Sequence, residues 1–291
     1  ALAGLNFLFG TSTGAGAKVL LIAAITALAL ISVVRGLDGG VKVLSEINIA
    51  MAALLLLFVI VVGPTGTIFE TIFSGGAAYV KELIPLSMPF GREDANFASG
   101  WTAFYWAWWI SWSPFVGMFI ARVSRGRTVR EFVVCVLIVP TLVSVLWMTT
   151  FGGTALVQLI QGGYTGVADT VTNWQPELAL FKMLEQLPMA SVLSFVGIVL
   201  VVIFFVTSSD SGSLVIDTIT AGGKMNPPVG QRVFWAVFEG LVAMTLMLGG
   251  GLASLQAAAI ATGFPFTLVL LAMCYSTYVG LRAEQRQMAG A

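Results

Sequence analysis

Residues 100–119 read GWTAFYWAWWISWSPFVGMF and carry five Trp, one Tyr and three Phe. As a helix, such a run is about 30 Å long, the thickness of a bilayer core. Trp and Tyr in membrane helices normally gather at the two interfaces. Here Trp106, Trp108, Trp109 and Trp112 fall in the middle of the run instead. Ring faces attract a cation that cannot donate hydrogen bonds, above all a quaternary ammonium, at about 0.5–2 kcal/mol per ring. The same rings would also serve as a bulky packing surface between helices. Phe104, Trp108, Ser111, Phe115 and Phe119 recur at helical spacing and predict one face, with Tyr105, Trp109 and Trp112 on the adjacent one. Pro114 removes a backbone donor and frees a carbonyl, which suits a pathway-lining kink or an ordinary tolerated bend.

A second group, Phe204 to Ser211, reads FFVTSSDS. The neighbouring hydroxyls of Thr207 and Ser208, beside freed backbone carbonyls, are expected to form a neutral oxygen cage that suits a hard monovalent cation such as sodium. The alternative is hydrogen bonding between helices. Arg122 and Asp210 are expected to end two helices on one side of the membrane. They are candidates for a gate pair; otherwise Arg122 is one more loop cation and Asp210 a solvated acid. Glu239 falls near the middle of an apolar run, where a carboxylate is costly. It is expected to be protonated or bonded to a neighbouring helix, chiefly in a structural role, with proton coupling as the alternative use.

The chain that must position these residues is 58% hydrophobic and 10% charged, against about 25% charged in soluble domains. This composition predicts an all-α, polytopic membrane protein. Formal net charge is zero, so there is no electrostatic footprint for nucleic acid. The sequence contains no His, which removes His-based catalysis, metal sites and proton relays. No paired acids or nucleophile–base pair suggest an enzyme, and no continuous polar lining suggests a channel. Cys135 and Cys274 both fall in apolar runs and read as reduced packing residues, with a disulfide as the weaker alternative.

Seven spans are predicted, at about Lys18–Val34, Ile47–Gly63, Trp101–Ala121, Phe132–Phe151, Met189–Ser208, Val233–Leu248 and Leu252–Leu281. Residues 1–9 read as the tail of a further helix, and the chain is expected to be the C-terminal part of a longer protein. The last span is long enough to be tilted, or kinked at Pro265. Ten of the fourteen Lys and Arg fall in loops on one side, including Arg35, Lys42, Arg122, Arg125, Arg127 and Arg130. Lys18, Lys81, Arg92 and Lys182 fall on the other side, mixed with acids. The first side, and with it the C-terminus, is therefore expected to be cytoplasmic. The Arg125–Arg130 loop suits contact with anionic lipid heads or a regulatory tail. Thr67–Leu86 is amphipathic and expected to lie along the outer interface, and Pro176–Leu187 to form a short outer helix. Ordinary connector structure is the alternative for both.

Gly100-Trp101-Thr102 and Tyr105-Trp106-Ala107-Trp108-Trp109, running on into ISWSPFVGMFIARVSRGRTVREF, resemble the signature of the betaine/choline/carnitine transporters. Ala103 departs from the larger aliphatic residue usual at its position. The resemblance implies an inverted-repeat, sodium-symporter-like (LeuT-type) fold. Residues 1–97 would hold the last helices of the first repeat plus the outer amphipathic segment, and 98–291 the complete second five-helix repeat. The first repeat is thus only partly present, and its Gly-rich helix, which completes the site in the family, is not in the chain. By this resemblance Trp109 stacks on a trimethylammonium group, with Trp108 and Trp112 beside the pathway. Phe104 and Ser111 complete the substrate set, and Ser111 or the backbone near Pro114 would meet a substrate carboxylate. Phe204, through its carbonyl, with Thr207 and Ser208 would hold sodium, and Phe115 would border a second ion. The implied protein is a homotrimer in a prokaryotic plasma membrane that imports glycine betaine or a related compound by sodium symport. It needs no cofactor beyond the coupling ion. Proton-coupled choline uptake and sodium-independent carnitine exchange are the alternatives.

Overall fold

Apolar runs of this length leave the backbone one way to satisfy its own polar groups in lipid, which is the α-helix. The computed structural model describes residues 1–36, 40, 42–88, 90–91, 93–94, 97–224 and 227–290. Arg92, assigned to one side by loop charge, lies outside them. The described residues form eleven α-helices. The first four are α1 (Leu2–Phe9), α2 (Ala15–Gly36), α3 (Lys42–Val62) and α4 (Thr65–Ser87). A π-helical turn, Ala98–Ala103, leads into α5 (Phe104–Val123), followed by α6 (Val129–Ile160) and α7 (Gly166–Thr172). A 3-10 turn, Pro176–Leu178, leads into α8 (Ala179–Glu185). The last three are α9 (Ala190–Thr220), α10 (Val229–Gly250) and α11 (Leu252–Ala289).

Six helices, α2, α3, α6, α9, α10 and α11, are long and apolar enough to cross a membrane. The seventh predicted span, α5, has the length at 20 residues but not the mean hydropathy, because its Trp and Tyr count as weakly polar. Helix α4 forms as one 23-residue element that buries only Ile68.

Helices overrun the predicted spans because a polar residue ends an apolar run without ending a helix. Thr128 and Glu131 close a capping box on α6, their reciprocal bonds being 3.2 and 2.9 Å long. Helix α6 then runs on past Phe151 to Ile160. Helix α11 passes through Pro265 unbroken. Helix α9 continues past Ser208 to Thr220, so Asp210 lies inside the helix and not at its end. Several hydroxyls of this stretch find their partner within the helix, as Ser211 does at the Thr207 carbonyl at 2.8 Å, so they need no partner elsewhere.

Helix α9 is the central post, packed by α1, α2, α3, α5, α8 and α10. A core of Leu55, Val59, Met183, Leu184, Leu193 and Leu200 joins α3, α8 and α9, and a smaller one joins Ile25 and Ala29 of α2 to Val206. The segment read as a short outer helix thus does more than connect: α8 inserts Phe181, Met183 and Leu184 into the core. Gln158 of α6 donates to the Met183 carbonyl at 3.0 Å. Tyr164 donates to Glu185 at 3.2 Å, and burial, then the adjacent carboxylate, raises the phenol pKa above its ordinary value.

Small residues let helices close on one another. A Cβ added at Gly263 of α11 would sit 3.1 Å from both the Cβ and the carbonyl oxygen of Ala107 on α5. One added at Gly240 of α10 would sit 2.6 Å from the Thr26 hydroxyl of α2. These seams fix α5 on α11 and α10 on α2. Cys135 and Cys274 are exposed and unpaired.

Candidate functional site

A cavity of about 400 Å³ opens where α3, α5 and α9 meet. Helix α5 contributes Trp112, Phe115 and Phe119, helix α9 contributes Phe204, Thr207, Ser208 and Ser211, and α3 contributes Ser45 and Asn48. One wall is therefore aromatic and another carries three hydroxyls. The structure brings all three predicted ion-binding residues, Phe204, Thr207 and Ser208, to this one space. It also places Phe115 there.

Of the five predicted substrate residues, Trp112 lines the cavity and the others do not. Trp108 and Trp109 lie about one turn away along α5 on the same side of the helix. They connect to Trp112 through ring contacts with centroids 6.4 and 6.3 Å apart. Trp108 also stacks on Phe104 at 5.8 Å. Half-exposed faces remain on Trp108, Trp109 and Trp112. Ser111 is not among the lining residues, although it shares a helix face with Phe115, which is. Its hydroxyl donates to the Trp108 carbonyl at 3.0 Å. Ser113 likewise bonds the Trp109 carbonyl, and Pro114 is the one buried residue of α5.

On the opposite wall α9 is an unbroken helix, so its carbonyls are not freed as the sequence reading had them. The Thr207 hydroxyl instead donates to the Phe204 carbonyl at 3.0 Å. The donor set still suits a hard, weakly charged cation: the hydroxyl oxygens are neutral, and a carbonyl oxygen keeps a second lone pair. Asn48 is a member of the lining that the sequence reading missed. It is 6% exposed, and its amide oxygen has no hydrogen-bond partner. A buried acceptor at a cavity wall is a candidate coordination or hydrogen-bond position.

Arg122 and Asp210 are not paired. Both Asp210 carboxylate oxygens and one guanidinium nitrogen of Arg122 are buried without a hydrogen-bond partner. Asp210 is also not solvated, being 3% exposed. The ion pair that does form on α9 is Asp217 with Arg232 of α10, at 3.6 Å. Asp217 is fully buried, and sequence reasoning passed over it because the expected span stopped at Ser208. Arg122 and Arg125 share a separate cavity of about 320 Å³ with Leu214 and Thr218. Trp174, also missed, holds a left-handed backbone (φ 53°) and lays its ring against Gly100 and, at 5.9 Å between centroids, against Trp101. Nothing in the sequence of its loop signals that contact.

Residues 1–286 match the family model described as "BCCT, betaine/carnitine/choline family transporter". A glycine betaine/proline/choline transporter of Vibrio parahaemolyticus is 62% identical over 286 residues, which cover 98% of this chain and 51% of that protein. Glycine betaine transporter 1 of the same organism is 53% identical over 296 residues, covering 98% and 55%. The glycine betaine transporter OpuD of Bacillus subtilis is 41% identical over 288 residues, again 98% and 55%. The chain thus spans about half the length of the curated relatives it matches.

Proposed function

The chain belongs to the betaine/carnitine/choline transporter family, and from that premise we propose that it forms part of a secondary transporter importing glycine betaine or a related trimethylammonium compound with sodium. It is a multi-pass membrane protein. The observation that carries the reading is that Trp112 and the hydroxyl-bearing Thr207 and Ser208 line one cavity. Aromatic faces hold a methylated cation without offering hydrogen bonds, and they return too little to strip water from a small hydrated ion. Neutral oxygens do the reverse and take the small ion. A site with both therefore separates substrate from coupling ion by chemistry.

In this reading Trp108 and Trp109 extend the aromatic surface away from the cavity along α5. Asn48 offers its open amide oxygen to the cargo from α3. Residues 98–291 form the second five-helix repeat, which rocks against the first around the site. The C-terminus faces the cytoplasm of a prokaryotic cell, supported by the ten of fourteen basic residues on that side. Assembly as a homotrimer is part of the same proposal. Arg122 and Asp210, unpaired here, form a gate contact in another state of the cycle.

The test is uptake of labelled glycine betaine by cells expressing the whole reading frame, with sodium or with choline-free potassium outside. Sodium-dependent uptake is expected. Uptake indifferent to sodium would remove the ion assignment and favour exchange. Uptake driven by an inward proton gradient alone would favour the proton-coupled alternative.

A further inference from the structure

The hydroxyls of α9 divide into two sets. Thr207, Ser208 and Ser211 line the cavity. Ser209 and Ser213 lie on the opposite side of the helix, roughly 170° away at 100° per residue. Ser209 donates to one carboxylate oxygen of Glu239 at 3.0 Å, and Ser213 donates to the other at 3.2 Å. Thr207, Ser211 and Thr218 spend their protons on their own helix, bonding carbonyls three or four residues back. Ser209 and Ser213 send theirs to α10. Gly212, between them, leaves the space: a Cβ added there would already be 3.7 Å from the Glu239 carboxylate. One turn further along, Asp217 holds Arg232 of the same helix α10. Helix α10 is itself pinned to α2 where Gly240, next to Glu239, meets Thr26.

We propose that Glu239 is a positioning residue for the cavity: it grips α9 from behind by two serines and sets the rotation that presents Thr207 and Ser208 to the ion. The inference rests on the sodium reading above. A helix held at one point can turn about its axis. A carboxylate that accepts one bond from each of two serines a turn apart resists that turn, and a slip of one residue would carry the hydroxyl pair about 100° away from the cavity. An apolar residue at 239 would pack the same helices without fixing the angle. The cost of a carboxylate at this depth is met by two donors placed for it.

The experiment uses the whole reading frame in a background with Cys135, Cys274 and every other cysteine of that frame replaced by Ala, comparing Glu239→Leu with Glu239→Gln. Two quantities are read: the sodium concentration that half-saturates betaine uptake, and the rate at which a small cationic methanethiosulfonate modifies Ser211→Cys. Glu239→Leu is expected to raise the sodium constant about tenfold and slow the modification about fivefold. Glu239→Gln keeps the shape and both contacts, its amide oxygen accepting from one serine and its NH2 donating to the other serine's hydroxyl oxygen, and is expected to stay within about twofold on both. The double variant Ser209→Ala, Ser213→Ala removes the donors and should reproduce Glu239→Leu, and it carries the comparison if the leucine variant does not fold. A merely structural role would lower the amount of transporter and the maximal rate with both readings unchanged. Unchanged or faster modification in Glu239→Leu, or a glutamine variant as impaired as the leucine one, overturns the proposal. If wild-type uptake ignores sodium, the ion reading falls by itself, and the modification ratio alone decides the role of Glu239.

Discussion

Helices α5 and α9 meet at one cavity yet are held in opposite ways. Helix α9 buries eleven of its residues, packs against six other helices and is tied to α10 by the Glu239 bonds and the Asp217–Arg232 pair. Helix α5 buries Pro114 alone and leaves Trp108, Trp109 and Trp112 half-exposed. In the proposed function the difference follows from what each would supply. Oxygen donors select a small ion only when their positions are fixed within a fraction of an ångström, which demands a packed and cross-linked helix. Ring faces recognise a bulky cation only when left uncovered, and their attraction tolerates small displacements. Damage to α9 should therefore appear first as lost stability or ion affinity, and damage to α5 as lost substrate affinity.

The largest expected effect is on α9. Asp217→Leu strands the Arg232 guanidinium, whose side chain is 18% exposed, and should cost about 3 kcal/mol of stability. Thermal unfolding of the purified protein would measure it, and an unchanged midpoint would show that α9 is not the fixed member. Next comes the seam that seats α5. Gly263→Val puts side-chain atoms where Ala107 already sits and should destabilise by about 1–3 kcal/mol, with transport falling in step. Trp112→Leu should leave stability nearly untouched. It should raise the KM for betaine by about 2- to 30-fold, the worth of one ring, with the sodium constant unchanged once betaine is saturating. The smallest effect is assigned to Ser111→Ala, which should change KM by less than about twofold, because that hydroxyl is bound to the Trp108 carbonyl outside the cavity lining. A large loss there would return Ser111 to the substrate set.

How much of this could be read in the chain depended on the range of the contacts. The aromatic run and the TSSDS stretch announce themselves by local composition, and the helices that carry them were placed by hydropathy. The ends of those helices were not, because a polar residue ends an apolar run without ending the helix, as from Ser208 to Thr220. That overrun carried Asp217 out of view. Which rings reach the cavity was also hidden: Trp108, Trp109 and Trp112 look equivalent in sequence, and only the packing of α5 beside α3 and α9 shows that Trp112 is the one in the lining. Asn48 sits on a helix distant in sequence and carries no local mark of its role. Glu239 stood out as a charge in an apolar run, but its partners thirty and twenty-six residues away did not.

The central claim is that ring and hydroxyls act within one cavity, so that substrate and ion bind with mutual assistance. Such coupling is measured by the KM for labelled glycine betaine at several sodium concentrations, in the wild type and in the double variant Thr207→Ala, Ser208→Ala. The account predicts that sodium lowers the KM about tenfold or more in the wild type and by less than about twofold in the variant. An equal sodium effect in both proteins would contradict it.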